Sequence, residues 1–211
     1  IVQVFHNPTG GEWSVKATLI GQRSSQENFG SDVDYDGTSL FVSGRAMTKK
    51  FFGSNFNSNT YYSVHSEFSN ILNVSLFNDR LVVGDPANFG FGISYLFDVQ
   101  GTNFNNLGNI QAAPNNEANG RNANDKFGYS LDTNGSVLAV GSPGFDYDAS
   151  SGNTISDIGA VTFFGVNNGY WEKLSRFNSG STLTTNSAFG TKVDMSGTSV
   201  AVLANSGQTS S

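Results

Sequence analysis

The chain has 211 residues, of which 37% are hydrophobic, 13% are aromatic and only 13% are charged. This composition is typical of one globular domain or two small ones, and it excludes a disordered chain. The net charge of -6 disfavours nucleic acid as a partner, and no apolar run approaches the roughly 20 residues that would cross a bilayer. The absence of cysteine excludes disulfides, thiol catalysis and thiolate metal sites.

Short apolar runs separated by glycine turns predict strands along the whole chain, with almost no helix. The predicted strands are 2–5, 13–19, 29–35, 39–43, 81–84, 93–98, 127–133, 137–141, 159–166, 171–177 and 199–203.

Two patterns recur among these strands. The first is a strand, a glycine turn and a strand opened by tryptophan, which occurs at 2–19 and again at 161–177. Weaker versions pair 49–52 with 61–68 and 93–97 with 109–113. The second pattern opens with Phe-Gly, continues through an apolar residue, an aspartate and a glycine turn, and ends in a β-branched run. It begins at Phe29, Phe127 and Phe189, and a copy at 70–86 has lost the Phe-Gly opening.

Together the two patterns make a unit of four short strands. Four-stranded units repeated in tandem predict an all-β fold, a β-propeller of antiparallel blades, because one such sheet cannot cover both of its faces alone. We divide the single propeller region 1–211 into units at about 29–69, 70–126 and 127–188, with a split unit from 1–28 and 189–211. Within the units, one strand face should be buried between blades: Phe29, Phe127 and Phe189 with Val33, Leu131 and Val193.

The split unit leaves three alternatives open. Strand 199–203 pairs with 2–5 of the same chain to close a four-bladed ring, the two halves pair between chains into a polymer, or further blades belong to a longer chain. Because the chain begins at Ile1, we expect either a removed leader or a longer parent chain.

Residues 127–177 carry the most complete motif: Phe127-Gly128, then Gly141-Ser-Pro143, an acidic glycine-containing loop, Gly159-Ala-Val161 and Trp171. This order resembles the FG-GAP (integrin α N-terminal-like) repeat. The resemblance implies a propeller of about seven blades in an extracellular or cell-surface protein, working in adhesion or in binding protein or glycan ligands. A structural filament built from copies of the chain is the alternative, and a hydrolase acting on glycans or phosphoesters ranks below both, since no nucleophile, metal cage or cofactor motif is found. We therefore expect a non-catalytic protein.

Several acidic residues are candidates for a calcium site. Asp32, Asp34 and Asp36 precede a glycine as Asp-x-Asp-x-Asp-Gly, which can converge on a hard cation. In the calcium-binding repeats that this family resembles, the loop is a longer insertion and ends in an acidic residue eight positions after its first aspartate. The eighth residue after Asp32 is Leu40. A structural role in the strand and turn is therefore favoured for these aspartates. Asp146 and Asp148, with Asp157 following, lie in the acidic loop and are the other cation or ligand candidates.

Asp34, Asp132 and Asp194 share one repeat position, three residues before the turn glycine. Two roles remain open for them: a hydrogen bond to the turn amides, which we favour, or a ring of carboxylates that holds a cation around the propeller axis.

The remaining candidates are two glycosylation sequons and two histidines. Asn134 lies in a predicted turn and Asn73 in a predicted inner strand, so only Asn134 should be reachable by a glycosylating enzyme. No motif gives His6 or His65 a catalytic partner, and structural roles are expected for both.

Overall fold

The computed structural model describes residues 1–21, 28–45, 47–63, 73–112, 122–148, 154–178 and 184–205. In these ranges the chain forms eighteen strands and a single short 3-10 turn, Asn88–Gly90. The strands are β1 Val2–His6, β2 Ser14–Leu19, β3 Val33–Tyr35, β4 Leu40–Gly44, β5 Met47–Phe52, β6 Ser58–Ser63, β7 Asn73–Phe77, β8 Arg80–Asp85, β9 Ile93–Gln100, β10 Asn103–Ile110, β11 Ser130–Thr133, β12 Val137–Ser142, β13 Tyr147–Asp148, β14 Thr154–Ile155, β15 Ala160–Asn167, β16 Tyr170–Phe177, β17 Lys192–Ser196 and β18 Ser199–Leu203. None of the described segments is a helix long and apolar enough to cross a membrane.

Three complete four-stranded antiparallel sheets follow one another along the chain. We call them blade A (β3 to β6), blade B (β7 to β10) and blade C (β11, β12, β15 and β16), and the small β13–β14 hairpin is inserted between the second and third strands of blade C. The strands β1–β2 and β17–β18 form separate two-stranded sheets, here the first hairpin and the last hairpin. The predicted all-β propeller of four-stranded antiparallel blades is confirmed.

The first strand of each unit packs against the first strand of the next. Thus β3 contacts β7, β7 contacts β11, and β11 contacts β17. Successive units therefore meet along their innermost strands, as in a propeller whose blades are arranged around an axis.

The Phe-Gly segments form the joints between units. The Phe127 N–H donates to the Phe91 carbonyl of blade B at 2.8 Å, and the Phe189 N–H donates to the Ile158 carbonyl of blade C at 2.9 Å. At the second joint the backbone comes so close that a Cβ on Gly141 would collide with the carbonyl oxygen of Gly190. Glycine at this position is needed for close approach of two backbones, and Gly84 has the same role against Gly128.

The predicted buried face is confirmed for Phe127, Leu131 and Val193, which are 0%, 6% and 3% exposed. Phe29 and Phe189 are half-buried. The prediction is wrong for Val33, which is 46% exposed. The first hairpin packs on Leu40 and Val42 of β4 and on β5, but it supplies no strand next to β3, which leaves nearly half of Val33 uncovered in the described chain.

Of the three alternatives left open for the split unit, the hydrogen-bonded closure of a four-bladed ring within one chain is not formed, because strands β18 and β1 do not pair. Two sets of predicted strand bounds also need correction. Strands predicted at 29–35 and 127–133 begin only at residues 33 and 130, because the Phe-Gly residues make the joints instead. The fourth strand of blade B begins at Asn103, earlier than the predicted 109–113, and that of blade A begins at Ser58, earlier than the predicted 61–68. Residues 64–68 and 113 of those predictions lie outside the described residues.

Candidate functional site

The carboxylates of the innermost strands connect one unit to the next. The Asp32 carboxylate accepts a hydrogen bond from the Val74 N–H at 3.0 Å, and that of Asp34 accepts one from the Leu76 N–H at 2.6 Å. Both bonds link blade A to strand β7 of blade B. Burial raises the pKa of each carboxyl above its ordinary value, and these N–H donors oppose that rise.

Asp132 of blade C makes the same kind of link to the units on both sides of it. Its Oδ2 accepts from the Met195 N–H of the last hairpin at 2.7 Å, and its Oδ1 accepts from the Ser75 hydroxyl of blade B at 2.9 Å. Asp194, in the same repeat position, is exposed, and its carboxylate makes no hydrogen bond within the described part of the chain. The shared position therefore carries a bond between blades, which neither of the two predicted roles describes.

The hydrogen bonds to the turn amides are made instead by Asp36 and Asn134, which stand two positions after Asp34 and Asp132. The Asp36 Oδ1 accepts from the Thr38 and Ser39 N–H groups at 2.7 and 2.6 Å, and the Asn134 Oδ1 accepts from the N–H groups of residues 136 and 137 at 3.0 and 2.8 Å. These bonds lower the pKa of Asp36 despite its partial burial. Asp32, Asp34 and Asp36 thus each bind separate backbone groups instead of converging on one point, and no group of three or more His, Asp or Glu among the described residues could hold a metal ion.

The acidic loop does bring two of its predicted residues together. The Asp157 N–H donates to the Asp146 carboxylate at 2.8 Å, across the base of the β13–β14 hairpin. Asp157 has a φ of +51°, a left-handed conformation that few residues other than glycine adopt. Asp148 lies in β13, and its side chain is outside the described residues.

A third carboxyl, missed from the sequence, lies beside this pair. Asp125 is only 1% exposed; its Oδ2 accepts from the Asn122 N–H at 2.8 Å, while its buried Oδ1 has no hydrogen-bond partner. Burial raises the pKa of Asp125 to about 6; the negative charges of Asp146 and Asp157 add to the rise and the Arg176 guanidinium opposes it.

A signal for Asp125 was present in the repeat. It stands two residues before Phe127, and Ser187 stands two residues before Phe189. Ser187 caps the equivalent turn, since its hydroxyl accepts from the Thr184 N–H at 3.0 Å. A polar residue two positions before Phe-Gly therefore marks a capped turn at these two joints.

Two adjoining cavities make a polar groove above these carboxyls. One, of about 350 Å³, is lined by Asn124, Asp146 and Ser156 among others, and the second, of about 280 Å³, by Tyr129, Asn186 and Asn205 among others. Lys126 and Asp157 line both. We call the combined surface the polar groove; it lies where blade C meets the last hairpin.

The other sequence candidates lie outside this groove. Asn134 is half-buried, and its Nδ2 donates to the Gly197 carbonyl of the last hairpin at 2.7 Å, so a glycan on that nitrogen would displace a bond between units. Asn73 is the half-buried first residue of β7. His6 is half-buried in β1, and His65 is outside the described residues.

No protein-family model matches the chain, and no curated protein matches it either. Among solved structures it is similar to the N-terminal domain of Nup159, with 16% identity and a TM-score of 0.46 over 79% of this chain and 36% of that one. It is also similar to a chain of the S. cerevisiae structure of Dbp5 bound to Nup159, Gle1, IP6 and ADP, with 17% identity and a TM-score of 0.40 over 71% of this chain and 30% of that one. The chain thus spans about a third of the length of these solved chains.

Proposed function

We propose that this chain is a non-catalytic propeller module of an extracellular or cell-surface protein, related to FG-GAP repeats, which binds a protein or glycan ligand in the polar groove. The observation that carries the proposal is the groove itself, two adjoining cavities of about 350 and 280 Å³ whose lining includes Lys126, Asp157 and Asn186. These three residues have positive φ, at +58°, +51° and +64°. Positive φ recurs in the equivalent turns before Phe127 and Phe189, so this backbone fixes the shape of the groove wall, and the polar lining is what suits a ligand.

The side chains of the groove suit a hydrogen-bonding ligand. Carboxylates of Asp146 and Asp157 accept, the Lys126 ammonium donates, and the amides of Asn124 and Asn186 do both. Tyr129 adds an aromatic ring to the wall. A few polar groups on a rigid β scaffold, with an aromatic surface beside them, can orient a sugar or a peptide segment.

The extracellular assignment is supported by the motif and the composition. The order Phe127-Gly128, Gly141-Ser-Pro143, acidic loop and Trp171 resembles FG-GAP repeats, and the chain is rich in asparagine, serine, glycine and threonine and poor in lysine. Calcium as an added requirement of the ligand is tested in the same experiment.

Binding of the purified protein to a glycan array and to an array of extracellular proteins tests the proposal, with calcium and with a chelator. We expect a bound ligand whose affinity falls at least about tenfold, or 1.4 kcal/mol, in the double variant Asp157→Asn with Asn186→Ala. Both changes keep the backbone, because asparagine tolerates a positive φ and alanine occurs at +49° in the neighbouring residue 188. Glu172→Gln, on the exposed face of β16, is the control and should bind as the wild type does. Absence of any ligand, or equal loss in the control, contradicts the proposal.

A second function, a structural subunit, is favoured by one observation. Among the described strands, the first and last hairpins are each two-stranded and do not pair with each other, so each offers an edge to which another strand can bind. Electron microscopy of the native protein distinguishes the two functions: regular fibres support the subunit, and isolated particles support the binding module.

A further inference from the structure

The turn at 122–126 fastens two blades together beside the polar groove. The Asn124 N–H donates to the Gly90 carbonyl of blade B at 2.7 Å, and the Gly144 N–H of blade C donates to the Asp125 carbonyl at 3.2 Å. The turn is closed by its own bond, from the Asn122 N–H to the Asp125 Oδ2. Asn124 and Lys126, on either side of Asp125, line the groove. A change at Asp125 is therefore transmitted directly to the groove wall.

Ser187 shows what this turn requires. In the equivalent turn at 184–188 the Ser187 hydroxyl closes the bond to the Thr184 N–H, and Ser187 is as deeply buried as Asp125, at 1% exposure each. One oxygen is thus enough to cap the turn. Asp125 carries a second oxygen, Oδ1, which is buried without a hydrogen-bond partner and can bear a charge that serine cannot.

The charged groups around Asp125 influence whether its carboxyl is protonated. Asp146, on the loop after β12, and Asp157, on the loop after β14, both act on it with like charge, and Arg176 of β16 acts with opposite charge. Lys126 is its neighbour on the same turn. The Arg176 guanidinium is also engaged elsewhere, as one Nη donates to the Ala112 carbonyl at 2.7 Å and its Cζ lies 4.9 Å from the centre of the Phe145 ring. The Asn122 N–H and the Arg176 guanidinium favour the ionised form, but the burial of Oδ1 without a hydrogen-bond partner and the two nearby carboxylates outweigh them, so an ionised Asp125 is poorly compensated.

We propose that Asp125 is a pH-sensitive latch: its neutral carboxyl holds the turn at 122–126 against the loops of blades B and C, and its ionisation loosens the turn and one wall of the polar groove. The latch itself stands without a ligand, whereas its effect on ligand binding rests on the proposed function.

The direction of the pH effect follows from the burial of the group. The pKa of Asp125 is about 6 in the folded protein and lies near 3.8 in an exposed aspartate. Between these values the folded state holds a proton that the unfolded state has released, so the stabilisation is complete below about pH 4 and is lost as the pH rises through about 6. The turn should therefore be tight in mildly acidic solution and looser at neutral pH.

Hydrogen exchange of the purified protein, without any ligand, tests the latch. After correction for the intrinsic rate at each pH, protection of the Asn124 and Gly144 amides should fall at least about fivefold between pH 5 and pH 7.5 in the wild type. In Asp125→Ser, which places at this turn the residue type that caps the equivalent turn at 184–188, the protection should be independent of pH. Asp194→Ser makes the same change at an exposed carboxylate and should behave as the wild type does. Equal pH dependence in Asp125→Ser and the wild type, or none in the wild type, overturns the proposal.

A second measurement keeps the test decisive if Asp125→Ser does not fold. The side-chain carbon of Asp125, followed by NMR in the wild type, should titrate with a midpoint near 6. A midpoint below about 4.5, in the ordinary range for aspartate, overturns the latch even if the protein binds a ligand in the groove. Failure to find a ligand, conversely, leaves both readouts of the latch unchanged.

Discussion

Asp132 accepts hydrogen bonds from the units on both sides of it, from Ser75 of blade B and Met195 of the last hairpin. A third bond comes from its own strand neighbour, the Thr133 N–H at 2.8 Å. One short side chain therefore satisfies three donors at the centre of the propeller. Asp194 occupies the same repeat position without any such partner in the described chain, so the two residues separate the effect of the bonds from that of the residue type.

We expect Asp132→Ala to lower the free energy of unfolding by about 2 to 4 kcal/mol, because three donors lose their acceptor at a joint where bulk water is scarce. Asp194→Ala should change it by less than about 0.5 kcal/mol. Urea unfolding followed by tryptophan fluorescence measures both. Similar losses in the two variants would show that the bonds between blades contribute little.

Phe127 packs in the hydrophobic cluster between blades B and C. It is fully buried, and its ring meets that of Phe164 edge to face at 6.0 Å between centroids. Phe127→Ala should lower the free energy of unfolding by about 3 to 5 kcal/mol, since it leaves a cavity that the two blades cannot fill. Phe89→Ala, at a ring that is 72% exposed, is the control and should change it little. A small effect at Phe127 would mean that the blades repack without it.

At the scale of elements, the units are joined by backbone rather than by side chains alone. Each Phe-Gly glycine donates its N–H back to the end of the second strand of its own unit: Gly30 to Ser43, Gly128 to Gly141 and Gly190 to Leu203. The second-strand glycine then meets the next Phe-Gly backbone, as Gly141 meets Gly190. The Phe-Gly motif is thus a structural joint, and its recurrence reports blade geometry and not a binding site.

Gly141→Ala tests this joint. Gly141 has no positive φ, so the variant loses stability only through the collision between the new methyl group and the Gly190 backbone. We expect the free energy of unfolding to fall by about 2 to 4 kcal/mol. Hydrogen exchange in the last hairpin should become faster. Gly169→Ala places a methyl group in open space at a φ of +83°, so its cost of about 1 to 2 kcal/mol measures backbone strain alone. If the two variants lose equal stability, close approach is not what selects glycine at 141.

For the whole molecule, buried carboxyls set how stability depends on pH. Burial raises the pKa values of Asp32, Asp34 and Asp125, so each of these groups stabilises the fold below its ordinary pKa and loses that contribution as the pH rises through its folded value. Asp36 acts in the opposite direction, because its turn bonds lower its pKa and its contribution is lost as the pH falls.

We therefore expect the melting temperature of the wild type to fall between pH 5 and pH 7.5, and Asp125→Asn to raise it more at pH 7.5 than at pH 5. The gain at pH 7.5 should be about 1 to 3 kcal/mol, since the neutral amide removes an uncompensated buried charge. Differential scanning calorimetry of both proteins at the two values gives the result, and Asp98→Asn, at a half-buried carboxylate bonded to Gln100, is the control. An equal shift at both pH values would contradict the assignment to Asp125.

Much of the architecture could be predicted from the local pattern. Strand runs, glycine turns and the two tryptophans carry the signal for the four-stranded unit, because alternation along a strand and turn chemistry are properties of neighbouring residues. The burial of Phe127, Leu131 and Val193 followed from that alternation. Of the acidic loop, Asp146 and Asp157 were found as candidates because both lie in one continuous segment.

What the tertiary structure alone decided concerns residues from different units. Val33 has the pattern of a core residue, yet its exposure depends on whether another strand lies beside β3. Asp34 and Asp132 were expected to serve their own turns, but their acceptors face N–H groups about 40 and 60 residues away on the next unit. Asp125 joins Asp146 and Asp157 only because the turn before blade C packs on the loops after β12 and β14. Alternation and turn propensity act over a few residues and so can be read along the chain, whereas these contacts depend on how the blades approach one another, which no local pattern encodes.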